Sequence, residues 1–222
     1  KILLTLLLQL TVAFSAFAQT DNVGEYLIQN SKRFLTVKGL ELKPGLRMDD
    51  ALKAFEAKGW ERSKLFDILK EQNDVYALDG TFYNRSNCNI MIIPTANNKK
   101  IVGTIGITLP DRKSFKDLKE EYDDLKSALS DKYHIVSSTE SFDDKNLEES
   151  TSDLLKLTAL SHNEAEFMTE FHLSENKQDD LLGFIRLFIS PIKTDTQESF
   201  HVYILYCTYD DLMEQVKAKD DL

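Results

Sequence analysis

Histidine, cysteine and glycine are scarce in this chain, and each scarcity removes a class of chemistry. Of its 222 residues only four are histidine, and none of His134, His162, His172 and His201 stands at a metal-binding interval from another histidine or from a cysteine. The eight glycines form no phosphate-cradling loop, and no nucleophile elbow is present. Beyond Ala18 there is no apolar run long enough to cross a bilayer. Basic residues are outnumbered, 27 against 37 acidic, for a net charge of −10. Such a field repels nucleic acid and anionic lipid heads, which excludes both as partners.

What is present begins with a leader. Lys1 is followed by an apolar stretch that closes on Ala16-Phe17-Ala18. A basic start, a short apolar core and an A-x-A end are the pattern of a secretory signal peptide, expected here over residues 1–18 with cleavage after Ala18. Ile2 to Ala18 is too short, and too interrupted by Thr5, Gln9, Thr11 and Ser15, to be a stable membrane anchor. Loss of Lys1 takes the net charge from −10 to −11. The remainder, 19–222, is expected to be one soluble mixed α/β domain in a periplasmic or extracellular setting.

The two cysteines, Cys88 and Cys207, both fall in predicted strands. Export permits a disulfide between them, and the alternative is two separate buried thiols.

Periodicity divides the chain into elements. Phe34 to Leu42 reads as a strand ending at Pro44-Gly45. Met48, Leu52 and Phe55 predict a helix that Gly59 closes, with Trp60 folding back onto it. Ser63 to Gln72 predicts a shorter helix. Strands follow at 75–83, 88–93 and 101–109, the last two joined by a turn at 97–100. Phe115, Leu118, Tyr122, Leu125, Leu129 and Tyr133 then recur at three- and four-residue steps, with Ser114 as the cap. Lys116, Lys119, Glu120, Asp123, Asp124 and Lys126 face the other way. Residues 135–142 read as a strand, and Leu154, Leu155, Leu157 and Leu160 as the apolar side of a short helix. Strands at 165–173, 182–192 and 200–209 follow, with a turn at Asp179-Asp180 and a charged helix or tail from Asp210.

The order helix, strands, helix, strands predicts an α+β fold: a mainly antiparallel sheet with helices on one face. It also reads as one helix-plus-strands unit used twice, over 34–109 and 114–209.

Few residues point to chemistry. His172 and His201 could meet across neighbouring strands near Glu170, but strand histidines are more often solvent-facing or at the core edge. The acidic pairs Asp49-Asp50, Asp123-Asp124, Asp143-Asp144 and Asp179-Asp180 fit solvated turns and helix surfaces better than the fixed, unlike carboxylates of acid/base catalysis. No catalytic residue, metal or cofactor is therefore expected. Trp60, Tyr203, Tyr206 and Tyr209 are the binding candidates. The tyrosines would form a contact surface on the sheet face left bare by the helices, or would line with Trp60 a pocket between helices and sheet.

Short motifs resemble a group of exported proteins of Bacteroidales bacteria. They are the leader end Ala16-Phe17-Ala18-Gln19, Lys38-Gly39-Leu40-Glu41-Leu42, Lys58-Gly59-Trp60, Gly80-Thr81-Phe82 and Cys88-Asn89-Ile90. The long helix adds Tyr122, Leu125, Lys126, Leu129, Lys132 and Tyr133, departing at His134 where a glycine often closes the helix. The resemblance implies an exported protein and carries over no functional residue. The doubled helix-plus-sheet layout also resembles β-lactamase inhibitor proteins, in which such a sheet is a protein-binding face. The expectation is a non-enzymatic exported module that binds a protein or a cell-envelope component. The alternatives are a small-ligand binder for a glycan or lipid, and a hydrolase using scattered acids or His172 with His201.

Overall fold

A computed structural model describes residues 33–174, 182–194 and 197–212. The leader 1–18, the Asp179-Asp180 turn and most of the charged tail lie outside the described residues. The fold is α+β, built on an eight-stranded antiparallel sheet with helices packed on one face.

A small hairpin, β1 (Thr36–Val37) and β2 (Leu40–Glu41), comes first. The sequence reads as one strand here, but Lys38 (φ 50°) and Gly39 (φ 74°) turn the chain back on itself. Two successive positive φ angles are those of a type I′ hairpin turn, which glycine permits without a Cβ penalty. Helix α1 (Met48–Glu56) buries Met48, Ala51, Leu52 and Phe55, with Asp49 and Asp50 in the first turn where the helix dipole favours them. Then come β3 (Glu61–Arg62), α2 (Phe66–Asn73), β4 (Tyr76–Phe82), β5 (Arg85–Pro94) and β6 (Val102–Thr108).

The second block opens with α3 (Phe115–Ser130), capped by the Ser114 hydroxyl, which accepts from the Asp117 N–H at 3.0 Å. All six residues of its apolar stripe are buried, down to Tyr133 just past its end. It is followed by β7 (His134–Phe142), α4 (Lys145–Glu149), α5 (Asp153–Ser161), β8 (Ala165–His172), β9 (Gly183–Lys193) and β10 (Glu198–Thr208). Helix α5 differs from its predicted apolar side. Ala159 and Leu160 are buried and Leu157 packs at the core margin, while Leu154 and Leu155 point to solvent.

The strand order is β3-β4-β5-β6-β10-β9-β8-β7. Each block runs from an edge inward in chain order, and the final strand of each meets the other at a central seam. There Thr104 pairs with Cys207, Gly106 with Leu205 and Thr108 with Tyr203. Alternation along the strands sends Ile90, Ile92, Ile105, Ile107, Val202 and Ile204 to the helix-covered face, where they form one core with α1 and α3. Phe115, Phe142 and Phe167 pack pairwise within it at centroid distances of 5.3 to 5.4 Å. A hydroxyl chain runs from this layer to the surface. Tyr122 meets Thr169 at 2.6 Å, and Thr169 meets Ser138 at 2.8 Å.

Charge also ties the blocks together. Glu121 of α3 is buried and accepts from Arg85 Nε of β5 at 2.7 Å and from Arg112 Nη2 at 2.8 Å. Arg112 Nε reaches the second carboxylate oxygen at 3.2 Å. These hydrogen bonds push the Arg112 guanidinium further up than usual.

Candidate functional site

The two cysteines are separate buried thiols, which corrects the disulfide expectation. Strand β6 lies between β5 and β10, so the two backbones are about 9.5 Å apart, two strand spacings, and a bridge tolerates no more than about 7 Å. Alternation also points them to opposite faces: Cys88 joins the helix-side core, while Cys207 packs with Phe184 and Leu212 on the other. Burial raises both thiol pKa values, Cys207 to about 12.

His172 and His201 do not meet. Strand β9 separates β8 from β10, and its register places His172 opposite Phe184 but His201 opposite Ser190. Six residues along a strand is about 20 Å. The His201 Nδ1 lies 2.8 Å from the Leu109 carbonyl oxygen and so carries the proton, leaving Nε2 to accept from Ser199 at 2.9 Å. Among the described residues no group of three His, Cys, Asp or Glu stands close enough to hold a metal ion. Several of the paired acids have structural partners: Asp49 accepts from the Tyr76 hydroxyl, Asp123 pairs with Lys119, Asp124 with Arg85, and Asp144 caps α4.

The sheet face opposite α1 and α3 is not bare at its centre, and Leu212 of the helical turn that follows β10 packs on it with Phe184 and Cys207. Tyr203, Leu205, Cys207, Phe184 and His172 are all buried there. Tyr203 stacks on Phe188 with centroids 5.1 Å apart, and its hydroxyl is buried with no hydrogen-bond partner. Beside it on the same face, Glu170 accepts from Arg186 Nη2 at 2.7 Å and lies 3.2 Å from His172 Nε2. Burial raises the Glu170 pKa, but the hydrogen bonds from His172 and Arg186 outweigh it and hold the carboxyl below its ordinary range. Tyr209, at the end of β10, is half-buried.

Trp60 is a core residue. It meets Phe55 edge to face, and its ring lies so close over Gly80 that a Cβ there would come within 2.5 Å of it. Gly80 is thus the floor on which the indole rests.

Tyr206 occupies a different setting. It projects to the helix side of β10 and lines a cavity of about 210 Å³ between the sheet, the C-terminal half of α3 and the β1–β2 hairpin. Leu125, Leu129, Ile204 and Phe82 give this cavity apolar walls. The Tyr133 hydroxyl pins the hairpin to the helix end, accepting from the Thr36 N–H at 3.2 Å and standing 3.2 Å from the Thr36 hydroxyl. Among the described residues the Tyr206 hydroxyl has no hydrogen-bond partner, and the residue is 3% exposed. Burial, with Tyr133 nearby, pushes its pKa well above the ordinary phenol range, so it stays a neutral donor and acceptor. Lys38, Tyr83 and Lys132 complete the lining. Sequence reasoning named Tyr206 but missed Tyr133, Lys38 and Lys132.

A second hollow, about 380 Å³, lies beside the N-terminal half of α3. It is open and lined by charges of both signs, among them Lys116, Lys156, Glu120 and Asp153. Such a surface is satisfied by water and by its own ion pairs.

Comparison with protein-family models, with curated proteins and with solved structures finds no match to this chain.

Proposed function

We propose that this protein is an exported, non-catalytic binding module that takes a small molecule into the cavity beneath α3. One observation carries the reading: a cavity with apolar walls is bordered by the Tyr206 phenol, whose hydroxyl has no hydrogen-bond partner among the described residues. A phenol that faces a cavity is free to exchange a hydrogen bond with a ligand or an ordered water there. Apolar walls with a few convergent polar groups are the usual composition of a small-molecule site. At about seven times the ~30 Å³ share of a water molecule, the volume suits a compact ligand or one end of a longer one. The leader pattern at 1–18 supports the exported setting.

Thermal-shift screening of small amphiphiles against the protein and an Ala128→Trp variant tests this. Ala128 lines the cavity from the half-buried side of α3, so the indole fills the space with little strain on the core. The expected result is a raised Tm for one ligand class that disappears in the variant. Equal shifts in both proteins would remove the cavity from consideration.

A second reading, a protein or envelope partner, draws on Leu154 and Leu155, which are both exposed in the first turn of α5. Replacing both by lysine should abolish crosslinks to envelope extracts if this surface is used, and leave them unchanged if it is not.

A further inference from the structure

The cavity has a charge at its mouth that contradicts the rest of the molecule. The chain carries a net charge of −10, yet the rim is formed by Lys38 and Lys132. Two further cations bind the carbonyl oxygens of these same residues: Lys58 Nζ donates to Lys38, and Arg33 Nη2 donates to Lys132 at 3.3 Å. Among the described residues, no carboxylate forms an ion pair with Arg33, Lys38, Lys58 or Lys132. Some other surface lysines are matched to acids, as Lys43 is to Glu41 and Lys119 to Asp123 and Glu140. Lys38 and Lys132, both without an ion pair at the opening, give it a local positive potential that an incoming anion would meet.

The opening therefore has two chemical ends. Inside are aliphatic and aromatic walls with the Tyr206 and Tyr133 phenols, and outside are the ammonium groups of Lys38 and Lys132. Resting on the reading that the cavity is a ligand site, we infer that its ligand is a small monocarboxylate with an apolar body. The carboxylate sits between Lys38 and Lys132, and the body lies against Leu125, Leu129 and Ile204. A polar atom on the buried end, where the ligand has one, meets the Tyr206 hydroxyl. A neutral ligand would leave the rim cations unused, and a cationic one would be repelled by them. A dianion such as a phosphate monoester would carry more hydration than an apolar cavity replaces.

Matched probes separate the charge from the shape. Saturation-transfer NMR titrations would use 3-phenylpropanoate, its uncharged amide and the corresponding amine, on the protein, on Ala128→Trp and on the surface double variant Lys38→Ala/Lys132→Ala. Two partly exposed ion pairs contribute up to ~1 kcal/mol each, so the acid should bind about tenfold more tightly than the amide. That preference should collapse toward equality in the double lysine variant, and binding of both should vanish in Ala128→Trp. Acid and amide binding equally, and both lost in Ala128→Trp, would overturn the carboxylate while leaving the cavity as a ligand site. A preference for the acid that survives in Ala128→Trp would place binding elsewhere and overturn both readings. So would the absence of binding by all three probes together with an unaltered thermal screen.

Discussion

On the helix-covered face of the sheet the Glu121 carboxylate meets two guanidiniums; on the opposite face Glu170 meets one guanidinium and an imidazole. The first cluster spans the blocks, since Arg85 comes from β5 and Glu121 from α3. The second is local to neighbouring strands, β8 and β9. The carboxylate of the first is the more deeply buried, at 3% side-chain exposure against 17%. A buried carboxylate that joins distant segments costs desolvation energy and returns register, whereas a half-buried one between adjacent strands adds little the ladder does not already fix. Glu121 should therefore govern how the blocks meet, and Glu170 how the second block responds to acid.

The largest expected effect follows from breaking the first cluster. Glu121→Gln leaves Arg85 and Arg112 facing an amide and should lower stability by about 3 kcal/mol, read from urea melts. Glu170→Gln should cost less, about 1–2 kcal/mol by the same measurement, because its own side chain keeps more access to water, 17% against 3%. Equal costs would abolish the distinction.

Acid sharpens it further. The pKa values of Glu140 and Glu170 are lower in the folded protein than their ordinary values: burial raises each, but hydrogen bonds from Lys126 and Lys119, or from His172 and Arg186, outweigh it. A depressed folded pKa gives stability that is fully present above the unfolded value of about 4.3 and is lost as pH falls through the folded value. Stability should thus be level near neutrality and fall below about pH 4.3, with a shallower fall in Glu170→Gln. An unchanged acid limb in that variant would deny Glu170 its part.

The smallest effect is a null result with content. Cys88 and Cys207 lie on opposite faces, both buried and with raised pKa values, so a thiol reagent at neutral pH should label neither in the folded protein and both after unfolding. Rapid labelling of Cys207 alone would mean that the Phe184 and Leu212 side opens more readily than the core.

How much of this is written locally in the chain differs by element. The α3 stripe is legible because its period is carried by residues within one helix. Glu121 belongs to neither face as the sequence is read, yet it follows Leu118 by three and precedes Leu125 by four, an apolar position. That spacing was the available signal. The hairpin hid inside the apparently continuous strand 34–42, where Gly39 is the residue that permits the turn. The separation of Cys88 from Cys207, and of His172 from His201, depends on which strand lies between them, and strand order is a property of the whole chain. The cavity is harder still, since its lining comes from the hairpin, the β4–β5 turn, α3 and β10.

The seam at the middle of the sheet also governs assembly. Strand β10 is the last strand of the described chain, yet it holds the two blocks together, pairing with β6 about a hundred residues earlier. Until it arrives, the first block presents β6 as a raw edge and the second lacks its innermost strand. Loop-closure entropy makes so distant a pairing slow to form. A ribosome-bound or partly threaded chain lacking these final residues would thus carry two half-sheets with unpaired backbone, a state that invites chaperones and proteases, and the pocket residues Ile204 and Tyr206 arrive only with the strand that ends that exposure.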